Sequence, residues 1–473
     1  MSLGLTSKFS ILQQSPHDTQ SVASGSSTES QPSVSRWLPS RYTVRAATEQ
    51  GSLVLWNTFT NSMSVFKGDL VLKVTQILTQ RGIIAKRQGL IKFLADRGFI
   101  VSDEADEYRR LRYAFAKNHY AQDRLHLFLL SSEDCNFRCT YCYEDFVRGT
   151  MQPWVRNGVK HYLQKKAPFL KQLKVEWFGG EPLYGMEAID DLAPFVLELA
   201  AKHGVNYISK MTTNAYLLKP EVLERLLAWR VVSYQITIDG PPEHHDRSRP
   251  GRDGSPTFEV IFNNLKSMQR RDDEFAVMLR VNFDRDNEKD LEHLLEMVER
   301  ELHGDPRFRL AFRAVDRWGG PVDDQLNVCS PDETQEIQWR LRTEARRRGL
   351  LLSGGIYHAG GVGSQVCYAT RPYSFIVGAT GKIMKCTIDL DRNDRNVVGY
   401  INEAGELTLD DDKMALWTEP AFENDTKCQK CVILPACAGM SCPPIRWDQK
   451  ESPCVPVRKT YKRALRAAAG DPI

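Results

Sequence analysis

Between residues 123 and 320 the hydrophobic pattern switches regularly between two periods. Short apolar runs with strand character occur at 125–130, 173–178, 207–213, 231–238, 275–283 and 308–315. Between them, at roughly 151–166, 187–203, 219–229, 257–270 and 289–303, apolar residues recur at helical spacing. Six strand–helix units in sequence predict an α/β fold with a parallel sheet and right-handed crossovers. In barrel-type folds of this kind chemistry sits at the C-terminal ends of the strands.

The flanks read differently. Residues 1–38 are rich in Ser, Gln and Thr and are expected to be a disordered tail, because they offer little apolar surface to bury. Residues 39–122 form a small separate unit, with strands expected at 41–45, 52–57 and 63–66 and helices at 69–80, 88–97 and 104–117. The stretch Leu90–Val101 reads helix, turn, strand. That order fits a winged-helix-like module, which can bind an extended peptide at a sheet edge. The other reading is a structural cap on the next domain. Residues 321–364 are a connector, with a charged helix at about 331–348 and then glycines (Gly354-Gly355, Gly360-Gly361, Gly363). Residues 365–473 are dense in cysteine with little regular structure expected, as in a small domain built around metal.

Bulk composition narrows the function. The net charge of +3 on 473 residues is mildly basic and by itself says little about nucleic acid, which usually brings a concentrated basic face; no nucleic-acid partner is expected. The run Arg346-Arg347-Arg348 sits in the charged helix and reads as a solvated face. No apolar stretch approaches ~18 residues, so no membrane span is expected, and no secretory signal pattern is present. The expected location is cytoplasmic, where thiols stay reduced. There the eleven cysteines suit ligation better than disulfides.

The chemistry-bearing motifs fall at strand ends. Cys135-Asn-Phe-Arg-Cys139-Thr-Tyr-Cys142 follows the first strand. Three thiolates this close can hold three irons of a cubane cluster and leave the fourth open; a zinc knuckle or buried thiols are the plainer reading. Phe178-Gly179-Gly180-Glu181-Pro182 ends the second strand, with two glycines that allow close backbone approach. Met211-Thr-Thr213-Asn214 ends the third. Gln235-Ile-Thr237-Ile-Asp239-Gly240-Pro241 ends the fourth, followed by His244, His245, Arg247 and Arg249. The adjacent histidines splay apart and read as structural. Leu279-Arg280-Val-Asn282 ends the fifth, and alternation puts Arg280 and Asn282 on one face. Asp316 and Arg317 end the sixth.

The cysteine spacing, with aromatic Tyr141 before the last thiol, resembles the radical S-adenosylmethionine (radical SAM) enzymes. The resemblance implies a partial (β/α)6 TIM-like barrel. It implies a [4Fe–4S] cluster on Cys135, Cys139 and Cys142 whose open iron chelates SAM, and SAM cleavage to a 5′-deoxyadenosyl radical. By the same resemblance Tyr141, Gly179, Gly180, Glu181, Thr213, Asn214, Thr237, Arg249 and Arg280 are SAM contacts. An arginine fork at Arg249 suits the SAM carboxylate. The order Cys367, Gly381, Cys386, Cys428, Cys431, Cys437, Cys442, Cys454 resembles the SPASM extension of this family, an iron–sulfur domain with two auxiliary four-iron clusters. The resemblance assigns Cys428, Cys431, Cys437 and Cys454 to an outer cluster, and Cys367, Cys386 and Cys442 to an inner one. The chain departs from the pattern twice. Four residues separate Cys437 from Cys442 where three are usual, and no cysteine stands shortly before Cys367. The inner cluster is therefore expected to have an open iron or another ligand, with Cys329 as a candidate; a lone cysteine is otherwise a small buried side chain.

SPASM enzymes mostly modify peptides or proteins. In their sulfatase-maturating branch an aspartate directly follows the cysteine matching Cys386. Here that residue is Thr387, with Asp389 later. The unit at 39–122 points instead to a ribosomally made precursor peptide with a leader. The expected activity is a radical SAM oxidoreductase that matures a peptide: it abstracts a side-chain hydrogen and forms a C–C or thioether cross-link. Its cofactors would be three [4Fe–4S] clusters and SAM, and its electron donor a flavodoxin or ferredoxin. Asp316 and Asp389 are the candidate bases, with His358 and Tyr368 behind them. The alternatives are a sulfatase-maturase-like protein maturase, a small-molecule radical SAM dehydrogenase or epimerase, and a non-enzymatic iron–sulfur carrier or zinc-binding protein.

Overall fold

A computed structural model describes residues 9–12, 34–354, 356–390, 394–450 and 452–470. The chain divides into two compact units. The larger comprises Gln122–Ser353 and Ala369–Thr418. Its strands β1 (Arg124–Ser132), β2 (Gln172–Gly179), β3 (Asn206–Thr213), β4 (Val231–Thr237), β5 (Ala276–Phe283) and β6 (Phe308–Ala314) pair in sequence order, all parallel. This is the parallel sheet that the six repeated units predict. One face of the strands carries fully buried residues, among them Leu129, Val175, Trp177, Met211 and Ile236. Intervening helices cover that face, as a crossover-built sheet requires. Several begin with proline in the first turn, where a missing N–H costs nothing: Pro153–Lys166, Pro220–Ala228 and Pro331–Arg347. The last of these also has a capping box between Ser330 and Glu333.

The sheet continues past β1. Strand β7 (Ser374–Val377) pairs parallel to β1, and β8 (Lys382–Met384), β9 (Val397–Ile401) and β10 (Leu407–Leu409) follow antiparallel, giving ten strands in all. Little regular structure was expected over 365–473, so these strands and the helices at Asp411–Thr418 and Val457–Ala468 correct that reading. At three to five residues, strands β7 to β10 are too short for a clear period.

The smaller unit comprises Met1–Ala121, Gly354–Tyr368 and Glu419–Ile473. One sheet runs in the order Phe9–Leu12, Ser62–Phe66, Leu53–Asn57, Thr43–Ala47. A second runs Ile83–Lys86, Val34–Pro39, Ile100–Ser102. Strands at 9–12 and 34–38 correct the expected tail; the rest of that expectation, over 1–8 and 13–33, lies outside the described residues. Every residue of Leu53–Asn57 is buried. Leu55 and Phe66 pack with Val74, Leu94 and Phe99 of the helical side. Val54 and Trp56 pack with Ile433, Ala436, Cys437 and Leu465. The N-terminal module and the cysteine-rich C-terminal segment thus share a core, while 369–418 joins the barrel. The linear division expected from sequence does not hold, because a strand buried on both faces needs a layer on each. Among the described residues no helix is long and apolar enough to cross a membrane.

Candidate active site

The cysteine loop leaves β1 and is fixed at its base before any ligand is considered. Buried Glu133 pairs with Arg148 and accepts the Ala379 N–H at 2.7 Å. Asp134 accepts the Cys135 N–H at 2.8 Å and a bond from Arg252 at 3.0 Å. Farther along, backbone N–H groups of Arg138 and Thr140 donate to the Pro250 and Ser248 carbonyls at 3.0 and 2.9 Å. The segment around Arg249 is therefore stitched to the loop that carries the thiols.

The Gly179-Gly180 turn lies against the same loop. Gly180 and Glu181 donate backbone N–H bonds to the Ser132 and Asp134 carbonyls at 3.1 and 3.0 Å. A Cβ on Gly179 would stand 1.9 Å from the Ser132 carbonyl oxygen, and one on Gly180 would stand 2.7 Å from that of Asp134. Glu181 is fully buried. It accepts bonds from Leu183 N–H (3.0 Å), Thr213 Oγ1 (2.7 Å) and Asn214 N–H (2.7 Å). Burial pushes its carboxyl up to about 7 against these donors. The carboxylate thus ties β2 to β3 and does not line the cavity, which corrects its expected place among the ligand contacts.

Beyond the loop, Tyr141, Asp239, Arg249 and Asn282 form one buried network. The Tyr141 hydroxyl donates to Asp239 and accepts from Arg249 Nη1 at 2.7 Å and from Asn282 Nδ2 at 3.0 Å. Asp239 also accepts the Asn282 N–H at 3.1 Å, and Arg280 Nε donates to Asn282 Oδ1 at 2.7 Å. Burial raises the Asp239 carboxyl, while Arg249 opposes the shift. Arg249 itself is held well above its ordinary value: burial acts against its charge, but Cys139, Tyr141 and Asp239 outweigh it. His245 is structural, as expected, since its Nδ1 accepts the Asp239 N–H at 3.3 Å. Asp239 was not singled out as a site residue, although its place before Gly240-Pro241 at the end of β4 was a usable signal.

Cys135, Cys139, Cys142, Tyr141, Gly179, Gly180, Thr213, Asn214, Thr237 and Arg249 line one cavity of about 150 Å³. Of the nine expected SAM contacts, Glu181 and Arg280 are outside this lining. The fit to a cluster and a zwitterionic ligand rests on three observations. Burial raises all three thiols, Cys142 to about 12, so their thiolates need a compensating cation. The Phe137 N–H donates to Cys135 Sγ at 3.3 Å, a bond that favours a metal-bound thiolate. Arg249 Nε is buried without a partner, an open donor for an anionic group. Among the described residues no three His, Cys, Asp or Glu side chains converge on a single-ion site; thiolates around a cubane bind separate irons.

In the smaller unit Cys428, Cys431, Cys437 and Cys454 line a second cavity, of about 560 Å³. The Ile433 N–H donates to Cys431 Sγ at 3.4 Å, and Arg458 Nη1 donates to Cys454 Sγ at 3.1 Å. A Cβ on Gly439 would sit 3.2 Å from Cys428 Sγ. These four are the cysteines expected for the outer cluster. Of the inner set, Cys386 belongs to the larger unit and Cys367 and Cys442 to the smaller.

The remaining candidates fare differently. Asp316 is exposed and accepts the Arg317 N–H at 2.8 Å. Asp389 is engaged through both oxygens by Arg395 at 2.7 and 3.0 Å. A carboxylate so paired is a poor base, which corrects its expected role. His358 is exposed. The charges acting on Cys329 come from Glu333, Arg285, Asp284 and Glu288, an environment of surface ions and not of thiolates.

Residues 129–298 match the model of the Radical SAM superfamily. A cysteine-type anaerobic sulfatase-maturating enzyme of Clostridium novyi is 20% identical over 333 residues, covering 65% of this chain and 84% of that protein. A serine-type anaerobic sulfatase-maturating enzyme of Bacteroides thetaiotaomicron is 27% identical over 161 residues, covering 31% of this chain and 37% of that protein. The chain spans less than half the length of two of the curated relatives it matches. Among solved structures, native anSMEcpe with bound AdoMet and Cp18Cys peptide shares the fold, with a TM-score of 0.54 at 18% identity over 73% of this chain and 96% of that one. The family match lies over the cysteine loop, the glycine turn and the ends of the first five parallel strands, where the buried thiols and the arginine meet; residues 129–298 of this chain are a segment similar to the Radical SAM superfamily.

Proposed function

We propose that this enzyme matures a peptide by removing a side-chain hydrogen and closing a cross-link. The observation that carries the reading is the single cavity where three thiols meet the Gly179-Gly180 turn and a buried arginine with an open Nε. Cys135, Cys139 and Cys142 would hold the SAM-binding cluster; loaded with SAM and an electron, it supplies a 5′-deoxyadenosyl radical. Arg249 offers its free Nε to the SAM carboxylate, while Tyr141 fixes its other face through Nη1. The missing side chains at Gly179-Gly180 let this turn pack backbone to backbone on the thiol loop while still lining the cavity. Thr213 and Asn214 are held at the cavity wall by Glu181.

The four cysteines of the outer cavity suit a second [4Fe–4S] cluster, an acceptor for the electron released on bond formation; a third cluster is what the SPASM resemblance implies. A flavodoxin or ferredoxin would supply the first electron. The three-stranded sheet of the smaller unit ends on Ile83–Lys86, where Ile84 is exposed. An extended leader could add there as a strand. The relatives in sulfatase maturation support a second reading, a protein maturase that makes an aldehyde. Co-expression with a short peptide encoded beside this chain separates the two. A cross-link gives a peptide lighter by two hydrogens that is inert to hydrazide; an aldehyde product reacts with hydrazide. An unmodified peptide from an enzyme that cleaves SAM would overturn the cross-linking reading for that peptide.

A further inference from the structure

Register places Arg280 and Asn282 opposite Ala311 and Arg313 on one face of β5 and β6. Thr237, a wall of the thiol cavity, pairs with Arg280, so this is the face that looks toward the cavity. The helix Pro331–Arg347 follows β6 and packs on it, with Gln338 Nε2 donating to the Phe312 carbonyl at 3.3 Å. On this helix Arg342 and Arg346 are one turn apart.

Among the described residues none of Arg280, Arg313, Arg342 and Arg346 forms an ion pair with a carboxylate; Arg280 bonds the neutral Asn282 amide and acts on buried Asp239 through its charge alone. The neighbouring arginines are not so left. Arg340 pairs with Glu288, Arg347 with Glu344 at 2.5 Å, and Arg348 with Glu344 and Glu299 at 2.6 and 2.9 Å. Acidic residues are available locally but serve other arginines. Solvent reaches Arg313 and Arg346, yet burial lowers the pKa of Arg313, Arg342 and Arg346, and like charge adds to the shift: Arg280 acts on Arg313, and Arg346 and Arg313 act on Arg342. The four charges lie near one another with no carboxylate paired to any of them. A wall of one sign concentrates the field on an incoming ion of the other.

We propose that Arg280, Arg313, Arg342 and Arg346 form a carboxylate-binding wall, and that the peptide substrate is acidic where it enters the barrel. This rests on the peptide-maturase reading. Arg280 is linked through Asn282 to Tyr141 at 2.7 and 3.0 Å, so the wall begins beside the cofactor cavity. The carboxylate could belong to Asp or Glu side chains or to the end of the peptide.

The test uses the full-length, cluster-loaded protein and three fluorescein-labelled glycine-rich peptides read by anisotropy at low salt. One carries two glutamates and an amidated end, one has glutamines and an amidated end, and one has glutamines and a free end. The glutamate probe should bind roughly tenfold tighter than the amidated glutamine probe. Arg313→Gln/Arg342→Gln should abolish that preference, and Arg313→Lys/Arg342→Lys should retain most of it. If the free-end probe instead takes the tenfold advantage, the chain terminus is the carboxylate bound. Equal binding of all three probes, or a preference that survives the glutamine variant, overturns the proposal. The 5′-deoxyadenosine assay on the same wild-type sample is independent: SAM cleavage without acid preference sinks the wall alone, and acid preference without SAM cleavage sinks the maturase reading alone.

Discussion

Gly179→Ala tests how the glycine turn and the thiol loop depend on each other. The Cβ would stand 1.9 Å from the Ser132 carbonyl oxygen, on a residue at φ +122°. The obstacle is backbone, so no side chain can swing away; Ser132 or Gly179 must move by about 1 Å to reach even a tight contact. Overpacking of this kind costs ~1–3 kcal/mol, and the positive φ adds ~1–2 kcal/mol for a residue with a Cβ. The Gly180 N–H bond to Ser132, 3.1 Å long, would break at about 1 kcal/mol more. Together these predict a loss of about 3–6 kcal/mol in the larger unit, or at least ~6 °C in Tm. Because Ser132 begins the loop that positions Cys135, the displacement should also reach the cluster, and an error of ~1 Å near reacting atoms can lower the rate ~100-fold. Thermal unfolding and the rate of 5′-deoxyadenosine release check both consequences. Gly180→Ala, with its Cβ 2.7 Å from the Asp134 carbonyl oxygen, should do less harm. A Gly179→Ala protein with wild-type Tm and rate would refute the claim that the turn is packed against the loop.

Arg249→Lys should weaken SAM binding at least tenfold with iron content unchanged, because an ammonium cannot serve both Tyr141 and the ligand; equilibrium dialysis with labelled SAM measures it. Burial holds Glu181 near 7, above its ordinary 4.5, so the folded chain binds this proton more tightly than the unfolded one. Its contribution is therefore complete below pH 4.5 and lost as pH rises through 7, about 3 kcal/mol over that window; denaturant titrations should show this slope in wild type and its absence in Glu181→Gln. Asp389→Asn should weaken the two bonds from Arg395 and lower the Tm of the larger unit, while SAM turnover per folded molecule stays near wild type. A loss of turnover without a loss of stability would restore Asp389 as a base. Cys437→Ala should lower the iron count by about a third and leave the SAM-binding cluster in place.

The barrel was legible because its strands are long, seven to nine residues, and alternate with amphipathic helices. Its motifs fall at strand ends, so the cavity lining around Cys135, Gly179, Asn214 and Arg249 could be named from sequence. Glu181 was misplaced because its partners, Thr213 and Asn214, come from the neighbouring strand; the motif gives the residue but not the direction of its carboxylate. The same limit hid Asp239, whose role depends on Tyr141 and Asn282 meeting it from two other segments. The division of the chain was not legible at all. Leu53–Asn57 is apolar on both faces, but nothing local says that one face waits for Ile433 and Leu465 some four hundred residues on. Asp389 looked like a base for want of knowing that Arg395 closes on it.

The most direct measurement is an anaerobic reconstitution with iron and sulfide. Iron is counted, and 5′-deoxyadenosine is assayed from SAM with a strong reductant, beside a Cys135→Ala/Cys139→Ala/Cys142→Ala variant. About twelve irons in the wild type, about eight in the variant, and SAM cleavage only in the wild type are the predicted results. Zinc in place of iron, or no 5′-deoxyadenosine from the wild type, would contradict the account.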